Sequence, residues 1–82
     1  MKHPEWWEWE LEISTHCLKR MHDRQFNEAD LRMMLEDATD WVLQMHGTVL
    51  VVTSLQGVRW EVIVSPDTSQ QKIVVVSAYP DP

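Results

Sequence analysis

The chain has 82 residues, enough for one domain, and 44% of them are hydrophobic, with five tryptophans available to fill a dense core. A net charge of −6 excludes the broad basic surface on which unspecific nucleic-acid binding depends, so DNA is not an expected partner. The single cysteine, Cys17, excludes an internal disulfide and fits a reducing compartment, and no apolar run approaches the ~20 residues of a membrane span.

In chain order, Trp7, Trp9, Leu11 and Ile13 alternate with Glu8, Glu10 and Glu12. That period of two predicts a strand with one buried and one wet face. The glutamate row would keep it from pairing edge to edge with another molecule. Ser14 or Thr15 offers an N-cap for a first helix running to about Gln25. Asn27 caps a second helix, and Asp30 at the third position completes a short capping box. Leu31, Met34, Leu35 and Ala38 follow i, i+3, i+4, i+7 and mark its buried stripe, with Met33 pointing away from it. The link around Phe26 is short enough to hold the two helices as a compact pair.

Residues 39–47 admit two readings: a short strand ending at Gly47, or an irregular link that packs Trp41 onto the helices. Val49 to Leu55 reads as a strand, Gln56-Gly57 as a two-residue hairpin turn, and Arg59 to Ser65 as the returning strand with Trp60, Val62 and Val64 on one face. Pro66-Asp67 opens a turn that reaches Gln70 or Gln71. Ile73 to Tyr79 is apolar at nearly every position, as expected of a central strand partly covered on both faces, and Pro80 and Pro82 end it. The expected fold class is α+β: a strand, two helices, then an antiparallel three-stranded meander with the helices packed on the sheet, all in one domain over residues 1–82.

Reactive and cationic side chains concentrate between Ser14 and Arg24. On a helix, His16, Arg20 and Arg24 stand at successive i,i+4 steps along one side, and Cys17, Leu18 and Met21 fill the neighbouring apolar arc. Lys19, Arg20, Arg24 and Arg32 all lie in the helical region, so a small positive site on an acidic body is expected. In the plain structural reading, Arg20 and Arg24 pair with Asp23, Glu28 or a helix carbonyl, and His16 merely follows the cap. Arg59 and Glu61 share a strand face and suit an exposed pair worth about 0.2–1 kcal/mol. Trp60 reads as core, and so does the group Trp6, Trp7 and Trp9, which has room to leave one indole for a partner. His3, His16, Cys17, His22 and His46 show no metal-ligand spacing, and Gly47 and Gly57 form no phosphate loop, so no metal or cofactor is expected. Cys17 on the apolar face is inert as a nucleophile. Pro4, Glu5, Glu8 and Glu10 among the first tryptophans are unlike a signal peptide, and the expected location is the cytoplasm.

His16-x-x-x-Arg20-Met21-x-x-Arg24, the following Asn27-Glu28-Ala29-Asp30-Leu31, and the later Trp60-Glu61-Val62-Ile63-Val64 and Val74-Val75-Val76-Ser77-Ala78-Tyr79 together resemble a bacterial family catalogued as a domain of unknown function. More remotely, that family resembles RelE-like and barnase-like small ribonucleases and toxins. The resemblance implies metal-independent RNA cleavage, with His16, Arg20, Arg24 and Tyr79 as catalytic residues, Ser77 as a substrate-binding residue, and a cognate antitoxin as protein partner; Arg59 stands beside Ser77 as a further substrate-binding candidate. Such cleavage needs proton transfer at the 2′-hydroxyl and leaving oxygen, and fixed positive charge at the phosphorane. His16 can take or give a proton, Arg20 and Arg24 can clamp phosphate oxygens, and Tyr79 can stack or donate a hydrogen bond. The alternative is a non-catalytic protein-binding module of the same fold. A convergent cationic pocket around His16 favours the enzyme, whereas neutralised arginines favour the binding module.

Overall fold

The computed structural model describes residues 4–81, so His3 and Pro82 lie outside the described residues. Five strands and two helices follow one another as β1 (Glu10–Ile13), α1 (Thr15–Arg24), α2 (Glu28–Glu36), β2 (Asp40–Leu43), β3 (Val49–Leu55), β4 (Val58–Asp67) and β5 (Lys72–Pro80). Short 3-10 turns occupy Glu5–Glu8 and Met45–Gly47. The strands form one sheet in the order β1-β5-β4-β3-β2, antiparallel throughout except for β1, which runs parallel to β5. This is an α+β fold with four strands after the helices rather than three.

Both helices begin where their caps dictate. The Ser14 hydroxyl accepts from the Cys17 N–H at 3.1 Å. Asn27 and Asp30 exchange side-chain and backbone bonds at 2.9 Å each, the reciprocal capping box. α1 ends on Gln25, whose left-handed φ of 58° turns the chain sharply into α2. α1 lies against β5 and α2 against β3, on the same face of the sheet. Beneath them Leu31, Met34 and Leu35 meet Val49, Val51, Val62, Val64, Ile73 and Val75, all buried. The buried Thr53 hydroxyl donates to the Met34 carbonyl near the end of α2, satisfying a group that helix geometry leaves open. Phe26 and Trp60 close one end of the core edge to face, with centroids 5.0 Å apart.

Three expectations are corrected, and one left open is resolved. The predicted strand over Trp7–Ile13 begins only at Glu10, because Glu10 stands opposite Lys72, the first residue of β5, and earlier residues have no ladder partner. The freed Trp7 and Trp9 carbonyls instead accept from the Arg32 guanidinium at 3.2 and 2.9 Å, while Trp7 is buried. Residues 39–47 take the strand reading in part: β2 pairs with β3, and the chain then turns through His46 at φ 66°. Pro66-Asp67 does not open the turn, since β4 continues through both residues and the turn follows at 68–71. Pro66 is tolerated there because β3 reaches only as far as Val64, so no strand needs a donor on that side. Finally, Leu18 is not on the buried arc of α1; it is 52% exposed, and Cys17 and Met21 alone carry that helix into the core.

Candidate functional site

The β1–α1 junction is fixed by Ser14. Its backbone N–H donates to the Val75 carbonyl at 3.0 Å, and its hydroxyl donates to the Val76 carbonyl at 2.9 Å while accepting the Cys17 N–H. The first turn of α1 is thus fastened to β5. From it, His16 and Arg24 project exposed and Arg20 half-buried. Cys17 beneath them is fully buried, and burial pushes its thiol above the ordinary value, so it stays protonated and unreactive at neutral pH.

The basic side chains fall into two sets. Arg32 is spent on the Trp7 and Trp9 carbonyls, Arg59 pairs with Asp81 at 3.0 Å, and Lys72 approaches Glu12 at 3.8 Å. Arg59 therefore takes Asp81 as its partner, not Glu61. Among the described residues, His16, Lys19, Arg20 and Arg24 make no hydrogen bond or ion pair through their side chains. All four stand on α1, which concentrates unneutralised positive charge on one helix of an acidic protein.

The residues expected from the last strand lie elsewhere. In the β4–β5 ladder Ile63 faces Ser77 and Val64 faces Val75, which leaves Val76 unmatched as a bulge. The bulge reverses the alternation: Ile73, Val75 and then Ala78 are buried under the helices. Ser77 and Tyr79 turn to the opposite face, opposite Ile63 and Glu61. Without the extra residue they would share the face of Ile73 and Val75, under α1. The sheet therefore separates Ser77 and Tyr79 from His16, Arg20 and Arg24. Arg59 belongs to that second face as well, since it stands opposite Ser54 in the same alternation as Glu61.

One concavity touches the cationic row, at the C-terminal end of α1. It encloses about 420 Å³ between Arg24, Asp30, Gln56, Trp60 and Pro80, with Phe26 in its wall. A second, of about 450 Å³, lies at the other face of the sheet and is lined by Asp40, Ser54 and Arg59. Local patterning gives no sign of either hollow, because each joins segments far apart in sequence. Asp81 as the partner of Arg59 was equally hidden beyond the predicted strand end. Among the described residues no group of three or more His, Cys, Asp or Glu side chains is placed to hold a metal ion, and no helix is long and apolar enough to cross a membrane.

Chemically, α1 can present two guanidiniums to phosphate or carboxylate oxygens and one imidazole within the same stretch to move a proton. A family described as a domain of unknown function, DUF4258, matches residues 13–80 of the chain. No curated protein and no solved structure matches it.

Proposed function

We propose that this chain, which belongs to the DUF4258 family of unknown function, recognises RNA phosphates through the exposed arc of α1 and acts on RNA without a metal, as a small cytoplasmic RelE-like endoribonuclease held by a cognate antitoxin. The observation that carries the reading is the division of the lysines and arginines among the described residues: Arg32, Arg59 and Lys72, off α1, each take a partner, and Lys19, Arg20 and Arg24, which take none, all stand on that helix. Free arginines at i,i+4 spacing suit successive oxygens of a phosphodiester. His16, one turn before Arg20, is the proton-transfer group. It takes the 2′-hydroxyl proton as the oxygen attacks phosphorus, and the 5′-oxygen leaves with a proton from water, giving a 2′,3′-cyclic phosphate. One imidazole cannot serve both sides of an in-line displacement, so cleavage is slow. Ser77, Tyr79 and Arg59 then act only on RNA that reaches the far face of the sheet, as a secondary contact.

The test is anisotropy and cleavage of a labelled single-stranded RNA at low salt, with EDTA present. Arg20→Ala and Arg24→Ala should each weaken binding and lower the salt slope by about 0.7 per lost phosphate contact. His16→Ala should bind normally but lose ~10²–10⁴ in cleavage rate. Equal cleavage by parent and His16→Ala, or no binding by the parent, would leave the non-catalytic protein-binding module. That second reading is supported by Leu50, Val52, Ile63 and Val74, which line the sheet face opposite the helices without being buried.

A further inference from the structure

The two edges of the sheet differ in kind. β1 carries exposed Glu10 and Glu12, with exposed Glu8 just before it, the charged guard that blocks strand addition. β2 carries no such guard beyond Asp40 at its first residue. Instead Val42, Leu43 and Met45 are 48%, 71% and 79% exposed, and the last two are the most exposed large hydrophobic side chains among the described residues. An unguarded apolar edge in a protein of net charge −6 is a surface that needs a cover.

The ladder shows which backbone groups of that edge are open. Gln56-Gly57 is a two-residue hairpin turn with φ of 53° and 80°, so its flanking pair Leu55–Val58 is hydrogen-bonded and the alternation along β3 is set. Leu55, Thr53, Val51 and Val49 bond to β4, and Val52 and Leu50 bond to β2. The Gln44 N–H to Thr48 carbonyl bond, 2.8 Å, continues the same register. Trp41 and Leu43 consequently point their N–H and C=O groups away from the sheet. The Trp41 N–H is held meanwhile by the Asp40 carboxylate of its own strand, at 2.8 Å.

We propose that β2 pairs antiparallel with β2 of a second copy of this chain about a twofold axis through Val42. In that register Trp41 faces the other copy's Leu43, and each pair exchanges its open N–H and C=O groups. Exposed Leu43 is covered by an indole, and Val42 meets its own counterpart. Asp40 stands opposite Gln44, whose amide can donate to it, so the one acidic residue of the edge meets a neutral donor. No pairing of β1 edges achieves this, since it would bring glutamates together. A strand of four residues gives a small contact, so the dimer is weak and forms at micromolar to millimolar concentration. Because each copy carries −6, association strengthens as salt screens the repulsion, the reverse of phosphate binding.

Sedimentation velocity over rising protein concentration at two salt levels tests this, together with oxidative crosslinking by diamide. Parent protein should shift from monomer to dimer, more readily at the higher salt. Val42→Lys places two ammonium groups together on the axis and should abolish the shift, while Leu18→Lys, at an equally exposed site on α1, should leave it unchanged. Val42→Cys should form an intermolecular disulfide, because facing residues of a non-hydrogen-bonded pair lie about 4.5 Å apart at Cα, within disulfide range. Leu18→Cys should not. A parent that stays monomeric throughout, dimerisation that survives Val42→Lys, or equal crosslinking at both positions overturns the proposal. So does a parent that stays monomeric alone but accepts an edge strand from a different protein.

Discussion

Replacing Ser14 tests the junction on which the cationic row of α1 depends. Its hydroxyl has two bonds to lose: the helix cap on Cys17 N–H and the contact to the Val76 carbonyl, 62 residues away in sequence. Loss of a serine cap costs about 0.5–2 kcal/mol. Loss of a neutral hydrogen bond costs about 0.5–1.5 kcal/mol, near the low end here because the Val76 bond is exposed to water. Ser14→Ala should therefore destabilise by about 1–3 kcal/mol, where a domain of this length has only ~4–12 kcal/mol in total. Ser14→Asp separates the two roles. A carboxylate caps the helix but cannot donate to Val76, so this variant should fall between parent and Ser14→Ala. Ser14→Thr should match the parent. Thermal denaturation followed by far-UV circular dichroism measures all three, with each 1 kcal/mol moving the midpoint by about 4–8 °C. A Ser14→Ala midpoint equal to the parent would refute the reasoning, and Ser14→Asp equal to the parent would show that the bulge contact adds nothing.

Leu35→Ala, at a side chain only 1% exposed between α2 and the sheet, should cost about 2–5 kcal/mol by the same denaturation measurement. Replacing Glu8, Glu10 and Glu12 together with Gln should change stability by less than about 1 kcal/mol, since Glu12–Lys72 at 3.8 Å is an exposed pair, but solubility in a precipitation assay should fall. Cys17 should resist alkylation in native protein and react only under unfolding conditions. Its native thiol is raised above the unfolded value of ~8.5, so the corresponding stability is complete below that pH and is lost as pH rises through the native value. Rapid native-state labelling near neutral pH would contradict its burial.

What the sequence determined by itself is what depends on neighbours a few residues away. The Ser14 cap, the Asn27–Asp30 capping box and the buried stripe Leu31, Met34, Leu35 all follow from groups within about one helical turn, and each is found where the pattern places it. The Gln56-Gly57 hairpin and the buried row Trp60, Val62, Val64 are equally local, resting on turn geometry and strict alternation. Tertiary structure decided the rest. β1 is cut short because its partner β5 begins only at Lys72, and β2 becomes a strand because β3 offers it a ladder. The bulge at Val76 had the largest consequence for the candidate site. A single unpaired residue in β5 reverses every later side chain, so Ser77 and Tyr79 face away from the arginines that the sequence pattern grouped them with. No periodicity marks that bulge, because it depends on the register between β4 and β5 and is held by Ser14 at the far end of the chain.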